Sequence, residues 1–223
     1  MRLNQYISSA TGLSRRAADT EISSGHVTIN GRVAALGERV ETDSVVVLSG
    51  QTVLPRAAHV YLALNKPTGY VSSRARQGSD PTIYKLLPPE YHNLKPAGRL
   101  DKDSRGLLLM SDNGHFIQHF THPRGSKTKI YDLVLDRTLS QSAVDRLGSG
   151  VELDDGPSRL TVISWSGKKL SVSLTEGRNR QIRRTLGAIG YGITDLNRIQ
   201  IGPFKLGSLG AGQWELIDGS TGE

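Results

Sequence analysis

The chain has 223 residues, which allows one large domain or two small ones, and its 28 lysines and arginines against 21 acidic residues give a formal charge of +7. That charge puts nucleic acid first among partners, ahead of an anionic membrane, because no long basic amphipathic helix is visible. The lack of cysteine removes disulfides, thiolate catalysis and cysteine zinc sites, and no apolar run reaches the roughly 20 residues of a membrane span. The opening Met1-Arg2-Leu3-Asn4-Gln5 lacks the apolar core of a signal peptide, so a cytoplasmic protein is expected.

Leu3, Tyr6, Ile7 and Ala10 recur at helical spacing, and Gly12 stops the helix. Ser14 is an N-cap candidate for a second helix over 15–24, with Gly25 beyond its end. His26-Val27-Thr28-Ile29 alternates as a strand does, and Asn30-Gly31 signals a type I′ hairpin leading to Arg32-Val33. Val45-Val46-Val47-Leu48 reads as another strand closed by Ser49-Gly50. Two helices and a small hairpin sheet are short on core. Arg2 at the start of the first helix, and Arg15 and Arg16 at the start of the second, are candidate RNA phosphate contacts, with solvated surface charge as the plain alternative.

Gln51 to Ala58 reads as irregular, with Pro55-Arg56 breaking structure, and the division expected is a module over 1–52, a linker over 53–60 and a larger domain over 61–220. The larger domain opens with a buried strand at Val60-Tyr61-Leu62-Ala63-Leu64, followed by a turn at Asn65-Lys66-Pro67-Thr68-Gly69. Val71 to Asp80 is a polar, basic loop, and the tail after Gly219 is expected to fray. In Gly98-Arg99-Leu100-Asp101-Lys102-Asp103-Ser104-Arg105, followed by Gly106 and three leucines, an aspartate stands at the edge of a rigid apolar element, either a strand or the start of a helix. Asp101 alone could equally cap a helix or pair with Arg99 or Arg105. Lys129 to Leu135 alternates as a strand, with Tyr131 on the face opposite Ile130. Gly177-Arg178-Asn179-Arg180-Gln181-Ile182-Arg183-Arg184 packs four arginines near a helix start, and Leu196 to Ile201 is a strand ending in a Gly202-Pro203 turn.

Arg2 to Ile7, Gly12 to Ala18 and Gly25 to Gly31 together resemble the S4 RNA-binding module, with Gln5 where that family often has lysine. Leu64 to Gly69, Gly98 to Asp101, Tyr131 and Arg180 to Arg183, in that order behind such a module, resemble the bacterial S4-containing pseudouridine synthases of ribosomal RNA. The resemblance implies an α+β protein: a small S4 module tethered to a catalytic domain with a largely antiparallel mixed sheet. It implies Asp101 as the catalytic carboxylate, Tyr131 as the active-site tyrosine and Arg183 as the arginine that ion-pairs with Asp101. Arg99, Arg178 and Arg180 are candidates for guiding RNA, and Asp103 reads as structural or solvent-facing.

The implied reaction breaks the N1–C1′ bond of uridine, turns the base and joins C5 to C1′. It is redox-neutral and loses no group, so no cofactor and no metal are expected. The expected partner is ribosomal RNA or a ribosome-assembly intermediate, met by a monomer with no membrane attachment. The Leu-Asn-Lys-Pro and Gly-Arg-Leu-Asp-Lys-Asp-Ser stretches look more like the large-subunit (23S) enzymes. A small-subunit (16S) or tRNA enzyme, a silent RNA-binding relative and a glycoside hydrolase are the alternatives, the last lacking a convincing second carboxylate.

Overall fold

A computed structural model describes residues 1–54, 58–74, 78–122 and 127–219. Pro55-Arg56, part of the loop over 71–80 and the tail beyond Gly219 lie outside the described residues. The chain forms two compact units: Met1–Val60 together with Asp112–Gly114, and Tyr61–Ser111 together with the chain from His115 onward.

In the first unit, α1 (Leu3–Thr11) ends at Gly12, whose φ of 82° lets its N–H reach the Ser8 carbonyl. α2 (Arg15–Ser23) starts where the Ser14 hydroxyl accepts the Ala17 N–H at 3.0 Å. β1 (Val27–Ile29) and β2 (Arg32–Val33) join through Asn30-Gly31, both left-handed at φ 51° and 79°, as a type I′ turn requires. β3 (Val46–Leu48) and β4 (Gln51–Val53) complete an antiparallel sheet of order β2-β1-β3-β4. Leu3 and Ile7 of α1, Ala18 and Ile22 of α2, and Val27 and Val46 of the sheet make its core.

Residues 51–53 are therefore strand rather than the irregular stretch expected from Gln51. Ser49 and Gly50 take φ of 48° and 81°, which turns the chain straight back, and Val53 is buried. Composition masks this hairpin, because Gln51 and Thr52 are exposed and polar.

The second unit is built on a nine-stranded sheet. Its main path runs β13-β5-β7-β11-β8-β10-β9, from β5 (Tyr61–Lys66), β7 (Arg105–Ser111), β8 (Lys129–Leu135), β9 (Thr161–Ser166), β10 (Lys169–Leu174), β11 (Ile193–Ile201) and β13 (Trp214–Leu216). β6 (Lys95–Pro96) adds to β7 and β12 (Phe204–Lys205) to β11. Among these strands only β7 and β11 run parallel, so the sheet is mixed and largely antiparallel. The Leu107-Leu108-Leu109 run settles as strand, buried on both faces. β5 extends through Asn65 and Lys66, which are buried strand residues and not the turn their polarity suggested. Leu62, Leu64 and Lys66 share a face at period two, so a lysine stands where a third apolar residue would continue the pattern.

Among the described residues, the α-helices α3 (Gly114–Thr121), α4 (Gln141–Ser149) and α5 (Gln181–Ala188) accompany this sheet. Leu147 of α4 and Leu186 of α5 pack with Leu133 and Val172 in one cluster. Phe116 and Phe120 of α3 pack with Leu107, Leu109 and Ile201 in another. Among the described residues no helix is long and apolar enough to cross a membrane.

The parallel β7–β11 pairing aligns Asn197 with Arg105 and Arg198 with Gly106. Gly106 has φ 106°, and a Cβ there would overlap the Arg198 carbonyl oxygen and stand 2.6 Å from its nitrogen. Backbone strain and overpacking each cost about 1–3 kcal/mol. Gly106→Ala is therefore expected to lower unfolding free energy by about 2–6 kcal/mol in urea titration. A loss within experimental error would mean that the two strands can separate at no cost.

Candidate active site

A cleft of about 660 Å³ lies in the second unit, lined by the Gly98–Asp101 loop, Tyr131 of β8, Arg198 of β11 and the Gly177–Arg183 segment. Its size is that of a small-ligand site.

Asp101 sits in a loop tied down from below. Lys66 is fully buried, and its Nζ donates to the carbonyls of Asp101 (2.9 Å), Ser104 (2.6 Å) and Pro67 (3.1 Å). The buried Ser72 hydroxyl donates to the Leu100 carbonyl at 2.8 Å and accepts the Leu100 N–H at 3.2 Å. The Gly69 N–H reaches the Lys102 carbonyl at 2.8 Å. The backbone on both sides of Asp101 is thus fixed while its side chain stays 36% exposed to the cleft. Burial pulls the Lys66 ammonium down from 10.5 to about 8, against the opposing pull of the Asp101 and Asp103 carboxylates.

Arginines close the other side. Arg180 opens α5 in the left-handed region at φ 46° and grips Asp103 with two bonds of 3.0 Å, while its Nη1 stands 3.5 Å from the Asp101 carboxylate. Those bonds to Arg180 hold the Asp103 carboxyl below its usual range. Arg183 Nη2 donates to the Asp103 carbonyl at 2.8 Å and the Ser104 hydroxyl at 3.3 Å, and its Nε lies 3.3 Å from the Asp103 carboxylate. The ion pair implied between Arg183 and Asp101 is therefore corrected: Arg180 reaches Asp101, and Arg183 holds Asp103. The cause is helical spacing, which places residue 183 one turn further along α5, beside the start of β7. Asp103 is accordingly structural, as a latch for both arginines, with its side chain 48% exposed. Arg105 does not pair with Asp101 either, because it makes a bidentate pair with Asp195 at 2.8 and 2.7 Å.

The other arginines divide into tethered and open ones. Arg178 lines the cleft but spends its guanidinium on the carbonyls of Asp155, Gly156 and Pro157 and on the Asp155 carboxylate. Arg184 grips the same carboxylate at 2.9 and 2.8 Å. Arg99 is exposed at the cleft, and Arg2, Arg15 and Arg16 are exposed at the two helix starts of the first unit. Tyr131 is 7% exposed and stands directly across from Arg198 in the β8–β11 register. Among the described residues no group of three or more histidines and carboxylates is placed to hold a metal ion.

Lys66 and Arg198 were not singled out in the sequence. Each continues the buried face of a strand at period two, Lys66 after Leu62 and Leu64, and Arg198 after Leu196. A cation in that position must find partners for its charge, and that is the signal which could have marked both.

A family model for RNA pseudouridylate synthases matches residues 60–188, and one for the S4 domain matches residues 1–46. A protein of Aquifex aeolicus (strain VF5) described as an uncharacterized RNA pseudouridine synthase is 34% identical over 226 residues, covering 98% of this chain and 90% of that protein. The dual-specificity RNA pseudouridine synthase RluF of Escherichia coli (strain K12) is 33% identical over 227 residues, covering 98% of this chain and 78% of that protein. A crystal structure of a pseudouridylate synthase matches with a TM-score of 0.72 at 27% identity, covering 99% of this chain and 97% of that one.

The buried ammonium gives stability a pH signature. Unfolded, Lys66 keeps its proton up to about 10.5; folded, it releases it near 8. Between these values the unfolded state binds more protons, so rising pH favours folding; below pH 8 both states are protonated and the contribution is flat. The stability of the wild type minus that of Lys66→Met, from urea melts at successive pH values, is expected to climb above pH 8 by up to about 1.4 kcal/mol per pH unit. A difference that stays level through that window would show that the amine keeps its proton.

Proposed function

The chain belongs to the RNA pseudouridine synthases, which are isomerases acting on RNA, and from that premise we propose that it converts a specific uridine of 23S ribosomal RNA to pseudouridine, with Asp101 and Tyr131 at the reacting centre and Arg183 holding the loop that carries Asp101. The observation that carries this reading is a cleft that combines an accessible, backbone-anchored carboxylate with an aromatic ring and a row of arginines. A uridine inside a structured RNA can reach Asp101 only by leaving its stack, so the base is flipped into the cleft.

In the proposed reaction the Asp101 carboxylate either attacks C1′ or removes the C2′ proton while the N1–C1′ bond breaks. Arg180 stands 3.5 Å from that carboxylate. Arg183 acts one step removed, by holding Asp103 and Ser104, and so fixes the loop from the side opposite Lys66. Tyr131 offers its ring to the uracil, a stacking contact worth about 1–3 kcal/mol, and its hydroxyl for removal of the C5 proton. Arg99 meets the flanking backbone at the rim, and Arg2, Arg15 and Arg16 serve as phosphate contacts on the S4 unit. Arg178 and Arg180 serve RNA only as they leave their carboxylate partners.

The choice of large-subunit RNA rests on the Leu64–Pro67 and Gly98–Ser104 stretches. The protein is taken to work as a cytoplasmic monomer on free RNA or an assembling subunit. The E. coli relative is named for dual specificity, so transfer RNA is included in the test.

Pseudouridine mapping by carbodiimide-stop sequencing of ribosomal and transfer RNA, in cells with and without the gene, is expected to show loss of a 23S signal. The wild type restores the signal and Asp101→Asn does not. Purified Asp101→Asn is expected to bind the same RNA with unchanged affinity, and that affinity should fall steeply with salt, because phosphate contacts dominate it. Turnover by Asp101→Asn would overturn the assignment of the carboxylate. A 23S map unchanged by deletion, with no activity of the purified protein on 23S transcripts, would overturn the substrate.

A further inference from the structure

Arg198 has no task in the reaction as set out above, yet it occupies the floor of the cleft. It is 3% exposed, it lies among the cleft-lining residues, and its guanidinium carbon stands 6.0 Å from the centre of the Tyr131 ring. Its Nε donates to the Leu107 carbonyl at 2.8 Å and its Nη1 to the Arg99 carbonyl at 3.4 Å, but the buried Nη2 has no partner. A buried donor left unpaired costs about 1–3 kcal/mol, and more on a charged group, so such atoms are rare without a reason.

The surroundings deepen the anomaly. The other cleft arginines on the Gly177–Arg183 segment are neutralised by Asp103, Asp101 or Asp155. Among the described residues no carboxylate pairs with Arg198 or with Lys129, the cation two residues before Tyr131 on β8. Burial and the charge of Arg198 hold the Lys129 ammonium below its usual range, so the two cations sense each other without an anion between them. The register between β11 and β8 slips immediately after Arg198, and such irregularities re-aim side chains beside active sites. Arg99, exposed at the cleft, is open to a sugar–phosphate backbone, whereas Arg198, 3% exposed beside Tyr131, can be met only by a group that enters the cleft, as a flipped base does.

We propose that Arg198 is a further catalytic residue, whose free guanidinium N–H binds a carbonyl oxygen of the target uracil and stabilises the uracil anion formed when the glycosidic bond breaks. The inference rests on the pseudouridine synthase reading. When the N1–C1′ bond breaks, its electron pair leaves with the base, and the charge spreads over N1 and the O2 and O4 oxygens. Bonding of C5 to C1′ returns a pair to the sugar, and the proton then lost from C5 is balanced by one gained at N1. Arg198 transfers no proton in either step. It supplies a fixed positive dipole where charge develops, in a buried setting that strengthens the interaction.

The test is single-turnover pseudouridine formation on a ribosomal RNA transcript carrying the mapped uridine. Arg198→Met is expected to lose about 10²-fold in rate at saturating RNA, as loss of one such donor does elsewhere, with RNA affinity unchanged. Arg198→Lys is expected to recover part of that rate. The discriminating arm replaces the target by 5-fluorouridine, whose base leaves as a more stable anion, and follows conversion of that nucleotide by nuclease digestion and mass spectrometry. The gap between wild type and variant should narrow severalfold. A gap of unchanged size, or a loss confined to RNA affinity, would overturn the proposal in favour of a packing or phosphate-binding role. Should Arg198→Met fail to fold, the same comparison with Arg198→Lys decides. A wild type that makes no pseudouridine sinks the parent reading, whereas an active wild type with a fully active Arg198→Met sinks this inference alone.

Discussion

One ammonium group holds up the floor of the cleft. Lys66 ends a strand buried on both faces, and its three carbonyl partners come from the residue after it and from both ends of the Asp101–Ser104 turn. A buried charge with too few partners would be expelled or neutralised, so the turn must keep its carbonyls pointed inward. With those carbonyls turned to the lysine, the Asp101 side chain stays partly exposed at the cleft. The lysine thus orients the carboxylate without touching it, and the arginines of α5, the Ser72 hydroxyl and the Leu100 backbone are built around a loop already fixed in shape.

Charge in the cleft is allotted in two classes. Asp103 and Asp155 each bind two arginines, and these pairs shape loops: Asp103 joins the 101–104 turn to the start of α5, and Asp155 joins the 152–158 loop to the segment before that helix. Their exposed location makes each pair weak in isolation, but bidentate geometry and sharing give direction to otherwise floppy side chains. Among the described residues the cleft cations Arg99, Lys129 and Arg198 pair with no carboxylate. The net charge of +7 is therefore a poor measure of what the cleft offers RNA, because much of its arginine is already spent.

Much of the fold could be read in the sequence because local signals and tertiary demands agreed. Ser14 caps α2, Asn30-Gly31 makes its hairpin, and Lys129–Leu135 and Leu196–Ile201 are strands. The reading failed where polar residues serve the interior. Asn65 and Lys66 looked like a turn because polarity is an average property, while burial of a polar group depends on partners contributed some 35 residues away or more. Gln51 and Thr52 looked like linker because their strand faces water. Within the site, Asp101 and Tyr131, which both line the cleft, could be picked out as candidates by motif and alternation. The partner of Asp101 could not, because Arg180 and Arg183 differ only by one helical turn, and which of them meets which carboxylate is set by the left-handed start of α5.

The parallel pairing of β7 with β11 has a consequence for the order in which the molecule comes into being. Arg198 bonds to Leu107 across 91 positions of chain, and Arg183 to Asp103 across 80. Contacts of such range must wait for long loops to close, and they make folding slow. A polypeptide leaving the ribosome displays Asp101 well before it displays the strand that shelves it. The first unit closes over shorter spans, the bond from Tyr6 to Val53 crossing 47 positions. Synthesis therefore delivers every strand of the first unit before Asp101 appears, and the two sides of the cleft can meet only after Arg198 has been made.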